Sequence, residues 1–303
     1  MDVNQFKGVF PAFYACYDDE GHVSEERTIA LADYLYQKEV KGLYVGGSSG
    51  ECIYQNLDER KETLRIVAER LKGKLTLIAH VGAPSTRDSI ELAKYAEALG
   101  YDALSAIPPI YFILPDESVM SYWLDIVKTT SLPFIVYNIP QLTGYHLTEK
   151  VLGELIKNPK VVGVKNSSMS TMDIERFKYV GGEDFLVFNG PDEQFIAGRA
   201  IGATGGIGGT YAAMPELFLA ADKAFTDGNL HLAQKIQQEI NNIIQLLVSQ
   251  NGHMYAVIKE ILRQRGVNVG SVRAPLKAIK PDEVSKITSI KDRIDQAIDT
   301  FTK

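Results

Sequence analysis

Cysteine and histidine are scarce in this chain of 303 residues, which excludes two classes of protein. The two cysteines, Cys16 and Cys52, are not spaced as metal ligands, and two cysteines cannot staple a fold of this length. The five histidines are scattered without the short spacings of a zinc site. We therefore expect neither a disulfide framework nor a bound metal ion.

Long apolar runs and basic clusters are also missing. No window approaches the unbroken apolar length of a membrane-spanning helix, and the first ten residues lack the basic and apolar segments of a signal peptide. The formal net charge is -6, and no run of basic residues is long enough to follow a phosphate backbone. These absences predict a cytoplasmic protein that has neither a membrane nor a nucleic acid as its partner.

The chain does contain a regular alternation of short apolar runs and amphipathic stretches. The strand-like runs lie at residues 9–15, 42–45, 76–80, 103–106, 134–137, 161–165, 185–189 and 204–207. The stretches with apolar residues at helical spacing lie at 25–38, 58–71, 86–99, 117–129, 148–157, 172–180, 194–201 and 215–227. Ser85 and Thr148 are predicted helix caps, and Gly100 is a predicted helix stop.

Eight strand–helix units in this order predict an α/β fold, a closed parallel (β/α)8 TIM barrel. Three further helical segments follow at 230–250, 253–265 and 283–301. No linker rich in Pro, Gly or Ser precedes them. We expect a catalytic barrel over residues 1–228 and a C-terminal helical subdomain, residues 229–303, packed on it.

Two reactive side chains stand at the carboxyl ends of neighbouring predicted strands. Lys165 ends the run VVGVK and Tyr137 ends the run PFIVY, at the end of the strands where barrel enzymes carry their chemistry. A lysine amine attacks a ketone only when unprotonated, and an apolar surrounding disfavours an ammonium ion. The pair therefore indicates an amine-based carbon–carbon lyase with a phenol that moves protons. The alternative is a solvated lysine that merely ends a strand.

The loop GGSSGE, residues 46–51, directly follows the second predicted strand and so reaches the same face. Its glycines let the backbone approach a ligand, and the hydroxyls of Ser48 and Ser49 with their amides form a concavity for an anion such as a carboxylate. An ordinary glycine-rich turn before the next helix is the alternative. No Gly-Lys-Ser/Thr follows, so the loop is not a P-loop.

Four segments, GGSSGE, YNIP, GVKNSS and GGIGGTY, resemble the pyruvate-dependent class I aldolases that include N-acetylneuraminate lyase and dihydrodipicolinate synthase. The resemblance covers essentially the whole chain. It implies an eight-stranded barrel with a C-terminal helical extension, a homotetramer, and chemistry without metal or organic cofactor. It also implies a Schiff base between Lys165 and the C2 ketone of pyruvate or a 2-keto sugar acid, a carboxylate held by Ser48 and Ser49, and Tyr137 as the general acid and base.

The resemblance implies further site residues. Tyr111 matches the tyrosine that family members contribute across a subunit interface, although a packing aromatic at the barrel rim is the alternative. Leu142 stands where dihydrodipicolinate synthases carry an arginine for their second substrate, and the segments YNIPQLTG and NGPDE look like those of sialic acid lyases. The residues implied to bind the rest of the substrate are Ser167, Gly190, Asp192, Glu193 and Gly209.

Some positions depart from the sialic acid lyases. Ser49 and Ser167 replace threonines and keep the hydroxyl, whereas Gly209 replaces a serine and offers only its backbone. Asn166 and Pro191 also differ, with no physical reason apparent from the sequence. Asp192 and Glu193 have an alternative role as a solvated acidic helix start, and His80 is expected to be a satisfied buried histidine.

The resemblance implies reversible cleavage of N-acetylneuraminate to pyruvate and N-acetylmannosamine. Two alternatives remain open at the level of sequence. One is a lyase for another 2-keto-3-deoxy sugar acid, which would make less use of Asp192 and Glu193. The other is a sugar-acid-binding protein without catalysis, which would need neither Lys165 nor Tyr137.

Overall fold

Eight parallel strands close into a barrel in the computed structural model, which describes residues 3–302. They are β1 (Gly8–Pro11), β2 (Gly42–Val45), β3 (Thr76–His80), β4 (Ala103–Ala106), β5 (Phe134–Asn138), β6 (Val161–Asn166), β7 (Leu186–Asn189) and β8 (Gly205–Gly208). From β2 to β8 each strand pairs with the next one in the chain, and β1 pairs with β8. An isolated parallel bridge between Ala12, the residue after β1, and Tyr44 of β2 joins the remaining two strands. The predicted (β/α)8 barrel is confirmed.

Helices cover the outside of the barrel. They are α1 (Glu25–Gln37), α2 (Leu57–Leu71), α3 (Thr86–Leu99), α4 (Asp116–Lys128), α5 (Pro140–Thr143), α6 (Glu149–Leu155), α7 (Thr171–Gly181), α8 (Phe195–Ala200), α9 (Pro215–Thr226), α10 (Leu230–Val248), α11 (Met254–Gln264) and α12 (Val284–Phe301). Ser85 and Thr148 cap α3 and α6 through their side chains, and Gly100 ends α3 with a left-handed φ of 83°, as predicted.

Two details differ from the prediction. The apolar run that begins in β1 continues to Ala15, but the strand ends at Pro11. Beyond it, Phe13 still donates its amide to the carbonyl of Tyr44 in β2, whereas Ala15 donates to the carbonyl of Ser49 in the loop that follows β2. The short helix α5 in YNIPQLTG was not predicted. Its four residues are too few to produce a helical period, although Pro140 begins it and Gly144 ends it as expected for these residue types.

The interior of the barrel is filled by side chains from alternate strand positions, as in other barrels of this kind. The buried residues of this inner cluster include Phe10, Tyr44, Ile78, Ile135, Tyr137 and Phe188. A larger apolar cluster lies between the strands and the surrounding helices and continues into α10, α11 and α12. Within residues 3–302, no helix is both long and apolar enough to cross a membrane, and no group of three His, Cys, Asp or Glu side chains could hold a metal ion.

A buried ion pair ties α11 to the loop after β2. Lys259 Nζ lies 2.6 Å from Glu51 Oε1, and the two side chains are 1% and 0% exposed. Lys259 also donates to the carbonyl of Ser271, and the second oxygen of Glu51 accepts from the amide of Arg273 at 2.9 Å. The ammonium group and both carboxylate oxygens of the pair therefore have hydrogen-bond partners outside the elements that carry them.

We expect Lys259→Met to destabilise the protein strongly, because it leaves the Glu51 carboxylate buried and uncompensated. Removing one partner of a buried pair costs about 3–5 kcal/mol of unfolding free energy. The measurement is the urea midpoint followed by circular dichroism. Lys223→Met is the matched control, since its pair with Asp227 is exposed, and it should change stability by less than about 1 kcal/mol.

Adding Glu51→Gln to Lys259→Met should recover part of the loss, because the amide removes the unpaired charge and still accepts from Arg273. Equal urea midpoints for Lys259→Met and Lys223→Met would contradict this account of the pair.

Candidate active site

One pocket at the carboxyl ends of the strands collects nearly all the predicted site residues. Its lining contains Ser48, Ser49, Tyr137, Lys165, Ser167, Gly190, Asp192, Glu193 and Gly209. They come from the loops or ends of β2, β5, β6, β7 and β8. Parallel strands leave the barrel at the same face, so residues up to 161 positions apart in the chain meet there.

Lys165 and Tyr137 are paired across adjacent strands. Their Cα atoms are partners in the β5–β6 register, and Lys165 Nζ lies 3.8 Å from the centroid of the Tyr137 ring. The ring of Tyr44 lies on another side of the amine, 4.3 Å away. Lys165 is only 5% exposed, and no carboxylate in the described part of the chain forms an ion pair with it. The amine is thus enclosed by aromatic faces and remains free of a fixed counterion.

The loop GGSSGE is held from below by His80. Gly46 adopts a φ of 79°, which favours glycine, and its carbonyl accepts a hydrogen bond of 2.9 Å from His80 Nδ1. His80 Nε2 accepts from the amide of Ile107 at 3.2 Å. Burial and the nearby Arg60 guanidinium lower the pKa of His80, so the ring stays neutral in the tautomer that these two bonds require. His80 is therefore a satisfied buried histidine, as expected.

An amide network explains Asn166. Asn138 Nδ2 donates to Asn166 Oδ1 at 2.7 Å, and Asn166 Nδ2 donates to Ser168 Oγ at 3.0 Å. Because Asn138 and Asn166 follow Tyr137 and Lys165 directly, the network fixes the strand ends that carry the reactive pair. The carbonyl of Pro191 accepts from Asn189 Nδ2 at 2.7 Å, which holds the turn after β7 in a similar way.

Position 190 requires glycine because two loops approach closely there. A Cβ atom on Gly190 would lie 1.9 Å from Ser167 Oγ and 2.8 Å from the carbonyl oxygen of Asn166. The amide of Gly190 donates to that same carbonyl at 2.8 Å. The hydroxyl of Ser167 is therefore placed against the turn that carries Asp192 and Glu193.

Asp192 has one satisfied and one unsatisfied oxygen. Its Oδ2 accepts from the amide and the hydroxyl of Thr210 at 2.7 and 2.6 Å. Its Oδ1 is buried without a hydrogen-bond partner among residues 3–302, although Asp192 lines the pocket. Burial raises the pKa of Asp192 to about 7, against the hydrogen bonds from Thr210. The neighbouring Glu193 is exposed, so the two adjacent acidic side chains of this turn differ in their burial.

Three residues of this region were not identified from the sequence. Tyr44 lies inside a predicted strand and Tyr255 on a predicted helix, where an aromatic residue is normally read as core. Thr210 belongs to the recognised segment GGIGGTY, but its bond to Asp192 depends on how β8 meets the turn after β7. Only the tertiary structure reveals these contacts.

Tyr111 is the one predicted site residue that this chain does not bring to the pocket. It is 91% exposed, with a φ of 86°, and its ring contacts Phe112 at 5.0 Å between centroids. Phe112 and Ile113 are 71% and 90% exposed. The loop after β4 therefore presents three consecutive apolar side chains to its surroundings.

Comparisons with known proteins agree with this geometry. Residues 5–294 match the dihydrodipicolinate synthetase family. The chain is 49% identical to an N-acetylneuraminate lyase of Mediterraneibacter gnavus, over 99% of this chain and 96% of that protein. It is 35% identical to an N-acetylneuraminate lyase of Rhizobium meliloti, over 93% of each chain. The solved structure of a catalytic lysine mutant of the Ruminococcus gnavus sialic acid aldolase superposes with a TM-score of 0.97 at 49% identity, covering 99% of both chains.

The raised pKa of Asp192 predicts a pH-dependent contribution to stability. An ordinary aspartate ionises near pH 3.8 when unfolded, so folding penalises its ionised form progressively as the pH rises from about 4 to about 7. Asp192→Asn removes this penalty. The melting temperature of Asp192→Asn relative to wild type should therefore rise between pH 5 and pH 8 and then level off.

Glu239→Gln is the matched control, because a hydrogen bond from Arg293 lowers the pKa of that carboxyl out of this range. Its melting temperature relative to wild type should stay constant from pH 5 to pH 8. A constant difference for Asp192→Asn as well would show that Asp192 is already ionised at pH 5.

Proposed function

The chain belongs to the dihydrodipicolinate synthetase family, and we propose that it is a Schiff-base aldolase that reversibly cleaves N-acetylneuraminate to pyruvate and N-acetylmannosamine. The observation that carries the proposal is the buried amine of Lys165 beside Tyr137, in a pocket whose lining also contains Ser48, Ser49, Asp192 and Glu193. The names of the relatives from Mediterraneibacter gnavus and Ruminococcus gnavus support the choice of substrate.

The reaction begins when Lys165 Nζ attacks the C2 ketone of the open-chain sugar acid. Water leaves, and the new C=N bond is protonated as an iminium ion. Because no carboxylate pairs with Lys165, the substrate carboxylate is the anion that accompanies this cation in the pocket. The hydroxyls and amides of the loop at Ser48 and Ser49 bind that carboxylate.

Cleavage then uses the iminium ion as an electron sink. Tyr137 passes its own phenolic proton to the substrate carboxylate as it takes the proton of the C4 hydroxyl, the C3–C4 bond breaks, and the electron pair of that bond moves through C2 to the nitrogen to give an enamine. N-Acetylmannosamine leaves as the aldehyde. The enamine is protonated at C3, and water releases pyruvate and the free lysine.

The acidic side chains of the pocket suit a chain of hydroxyl groups. Carboxylate oxygens accept hydrogen bonds, and the unpartnered Oδ1 of Asp192 and the exposed carboxylate of Glu193 can both act as acceptors. Ser167 adds a hydroxyl, and Gly190 and Gly209 add backbone groups without side-chain bulk. Leu142 offers no positive charge for a second carboxylate, which favours a sugar over an acidic aldehyde as the released product.

We also propose that the protein assembles as a homotetramer in which Tyr111 serves the active site of a neighbouring subunit. The support is the exposed apolar trio Tyr111, Phe112 and Ile113, which one chain leaves uncovered. Tyr111 of one subunit would transfer protons in the pocket of its neighbour, together with the hydroxyl of Ser49 in that pocket.

Two further assignments belong to the same proposal. Residues 1–228 form the catalytic barrel and residues 229–303 a helical subdomain, supported by α10, α11 and α12 packing against one another and against α9. The cytoplasm is the proposed location, supported by the two free cysteines, Cys16 and Cys52.

We expect purified wild type to release pyruvate from N-acetylneuraminate and to be trapped covalently when borohydride reduces its adduct with pyruvate. Lys165→Ala should lose both properties, because Lys165 is the only lysine of residues 3–302 in the lining of the pocket. Pyruvate release is measured by a coupled assay and the adduct by intact mass. The exposed Lys157→Ala is the control and should behave as wild type.

The same assay with 2-keto-3-deoxygluconate tests the substrate. Turnover of the shorter acid alone would keep the mechanism and overturn the substrate. Absence of both adduct and turnover would reject the enzyme and favour a sugar-acid-binding protein.

Complementation tests the role of Tyr111. Tyr111→Phe should lower kcat by at least about tenfold, as expected for loss of a proton-transferring group. In oligomers that mix Tyr111→Phe with Lys165→Ala subunits, some pockets regain both groups, so activity should exceed that of either variant alone. Native mass spectrometry reports the oligomeric state and the mixing. Mixed oligomers without recovered activity would exclude a role for Tyr111 across the interface.

A further inference from the structure

Two carboxamide side chains of α10 reach the turn after β7 that carries the acidic residues of the pocket. Gln237 Nε2 donates to the carbonyl of Asp192 at 3.1 Å, and Asn241 Nδ2 donates to the carbonyl of Glu193 at 3.1 Å. Gln237 Nε2 uses its second hydrogen for Asn241 Oδ1 at 2.8 Å. Residues four positions apart lie on the same face of a helix, so one face of α10 holds two successive carbonyl groups of the turn.

The backbone fixes the orientation of both carboxamides. Gln237 Oε1 accepts from the amide of Ile196 at 2.9 Å, and a backbone N–H can only donate. The oxygen of Gln237 must therefore face Ile196, which leaves its nitrogen for the carbonyl of Asp192. The same nitrogen donates to the oxygen of Asn241, so the nitrogen of Asn241 faces the carbonyl of Glu193.

The turn that receives these bonds is short. Asp192–Gln194 is a single turn of 3-10 helix, and it runs directly into α8, which has only six residues. The side chain of Gln194 does not cap α8, so the amide of Ile196 in the first turn of that helix has Gln237 as its acceptor. The bonds from α10 therefore anchor a segment that is too short to supply these partners itself.

Asp192 and Glu193 depend on this anchor to different degrees. The carboxylate of Asp192 is also held by Thr210, which donates to Oδ2 and leaves Oδ1 unpartnered in the lining of the pocket. The carboxylate of Glu193 has no hydrogen bond within residues 3–302, so its position follows from the backbone that Asn241 holds. Anchoring the backbone thus positions both acids, and Glu193 most of all.

We propose that Gln237 and Asn241 are positioning residues for the hydroxyl-bearing part of the substrate, because they set the places of Asp192 and Glu193. The inference rests on the proposed function, since it requires a sugar whose hydroxyl groups donate to these two acids. Neither carboxamide belongs to the lining of the pocket, whereas Ile244, on the same face of α10, does. Helix α10 therefore contributes to recognition of the sugar both through its own contact and through the turn.

The test is the synthesis of N-acetylneuraminate from pyruvate and N-acetylmannosamine, because this one reaction reports on both parts of the substrate. In Asn241→Leu and in Gln237→Met, the KM of N-acetylmannosamine should rise roughly tenfold, since hydrogen bonds from the sugar to the displaced acids are weakened. The KM of pyruvate should stay within about twofold of wild type, because the residues around Lys165 are unchanged.

Matched controls lie beside each variant on the same helix. Gln238→Met makes the same exchange at an exposed glutamine that has no hydrogen bond from its side chain in the described chain. Asn242→Leu removes a carboxamide that donates to Glu239 within α10 at 3.1 Å. Both controls should keep both KM values at the wild-type level. Asn241 is only half-buried, so Asn241→Leu is expected to fold even if Gln237→Met does not.

A double-mutant cycle tests the route from Asn241 to the sugar. If Asn241 acts through Glu193, its replacement should matter little once that carboxylate is gone. Asn241→Leu added to Glu193→Ala should therefore raise the KM of N-acetylmannosamine by less than about threefold. A role in stability alone would give the full rise in either background.

Three results would overturn the inference while the proposed function stands. They are equal rises of the two KM values, unchanged KM values in both variants, and an undiminished effect of Asn241→Leu in the Glu193→Ala background. Failure of the wild type to interconvert N-acetylneuraminate with pyruvate and N-acetylmannosamine would instead overturn the proposed function, and the role of α10 with it.

Discussion

The register between β5 and β6 is the constraint on which the site depends. Tyr137 is paired with Lys165, and at the next position Asn138 is paired with Asn166. The hydrogen bond between the two asparagine side chains therefore holds the strands together directly beside the proposed reactive pair. Side chains alternate between the two faces of a strand, so a shift of the register by one residue would turn each side chain of the shifted strand to the other face of the sheet. The side chains of Asn138 and Asn166 form hydrogen bonds with each other and with Leu147 and Ser168, and these bonds favour the observed register. The proposed chemistry therefore depends on the register in which β5 and β6 pair.

The loop GGSSGE, which we propose to bind the substrate carboxylate, is held by three contacts from different parts of the chain. His80 holds the carbonyl of Gly46 from below, Ala15 donates its amide to the carbonyl of Ser49, and Lys259 binds Glu51 from α11. Each contact comes from a different part of the chain, so the loop is fixed only when the barrel has closed and the C-terminal helices have docked. A flexible glycine-rich loop becomes a rigid binding surface in this way, and the entropy of ordering it is lost during folding rather than during binding.

Short apolar strands and the polar residues that follow them are local features, so the sequence alone predicted the barrel and brought Ser48, Ser49, Tyr137 and Lys165 to one face. The resemblance supplied the other pocket residues, which are Ser167, Gly190, Asp192, Glu193 and Gly209. Glycine at position 190 was recognised only by resemblance, and its physical reason, the approach of Ser167, appears only in three dimensions. The contacts of Tyr44 with Lys165 and of Thr210 with Asp192 were missed, since each joins elements whose spacing the sequence does not encode. The ion pair of Glu51 and Lys259, 208 residues apart, was invisible for the same reason.

The pocket contains a buried amine as well as two acidic side chains, and we propose that this arrangement orients an anionic sugar acid. The amine of Lys165 has no ion-pair partner among residues 3–302, and the carboxylates of Asp192 and Glu193 belong to the same lining. A ligand that entered in the reverse sense would place its carboxylate beside these two acids, in a site where burial already raises the pKa of Asp192 to about 7. Like charges in such surroundings repel strongly, whereas hydroxyl groups donate to both acids. The protein as a whole carries a formal charge of -6, so the orientation must come from the local arrangement and not from net attraction. In the proposed mechanism the same arrangement brings the C2 ketone to Lys165, so one distribution of charged groups would determine both the orientation of the ligand and the carbon that reacts.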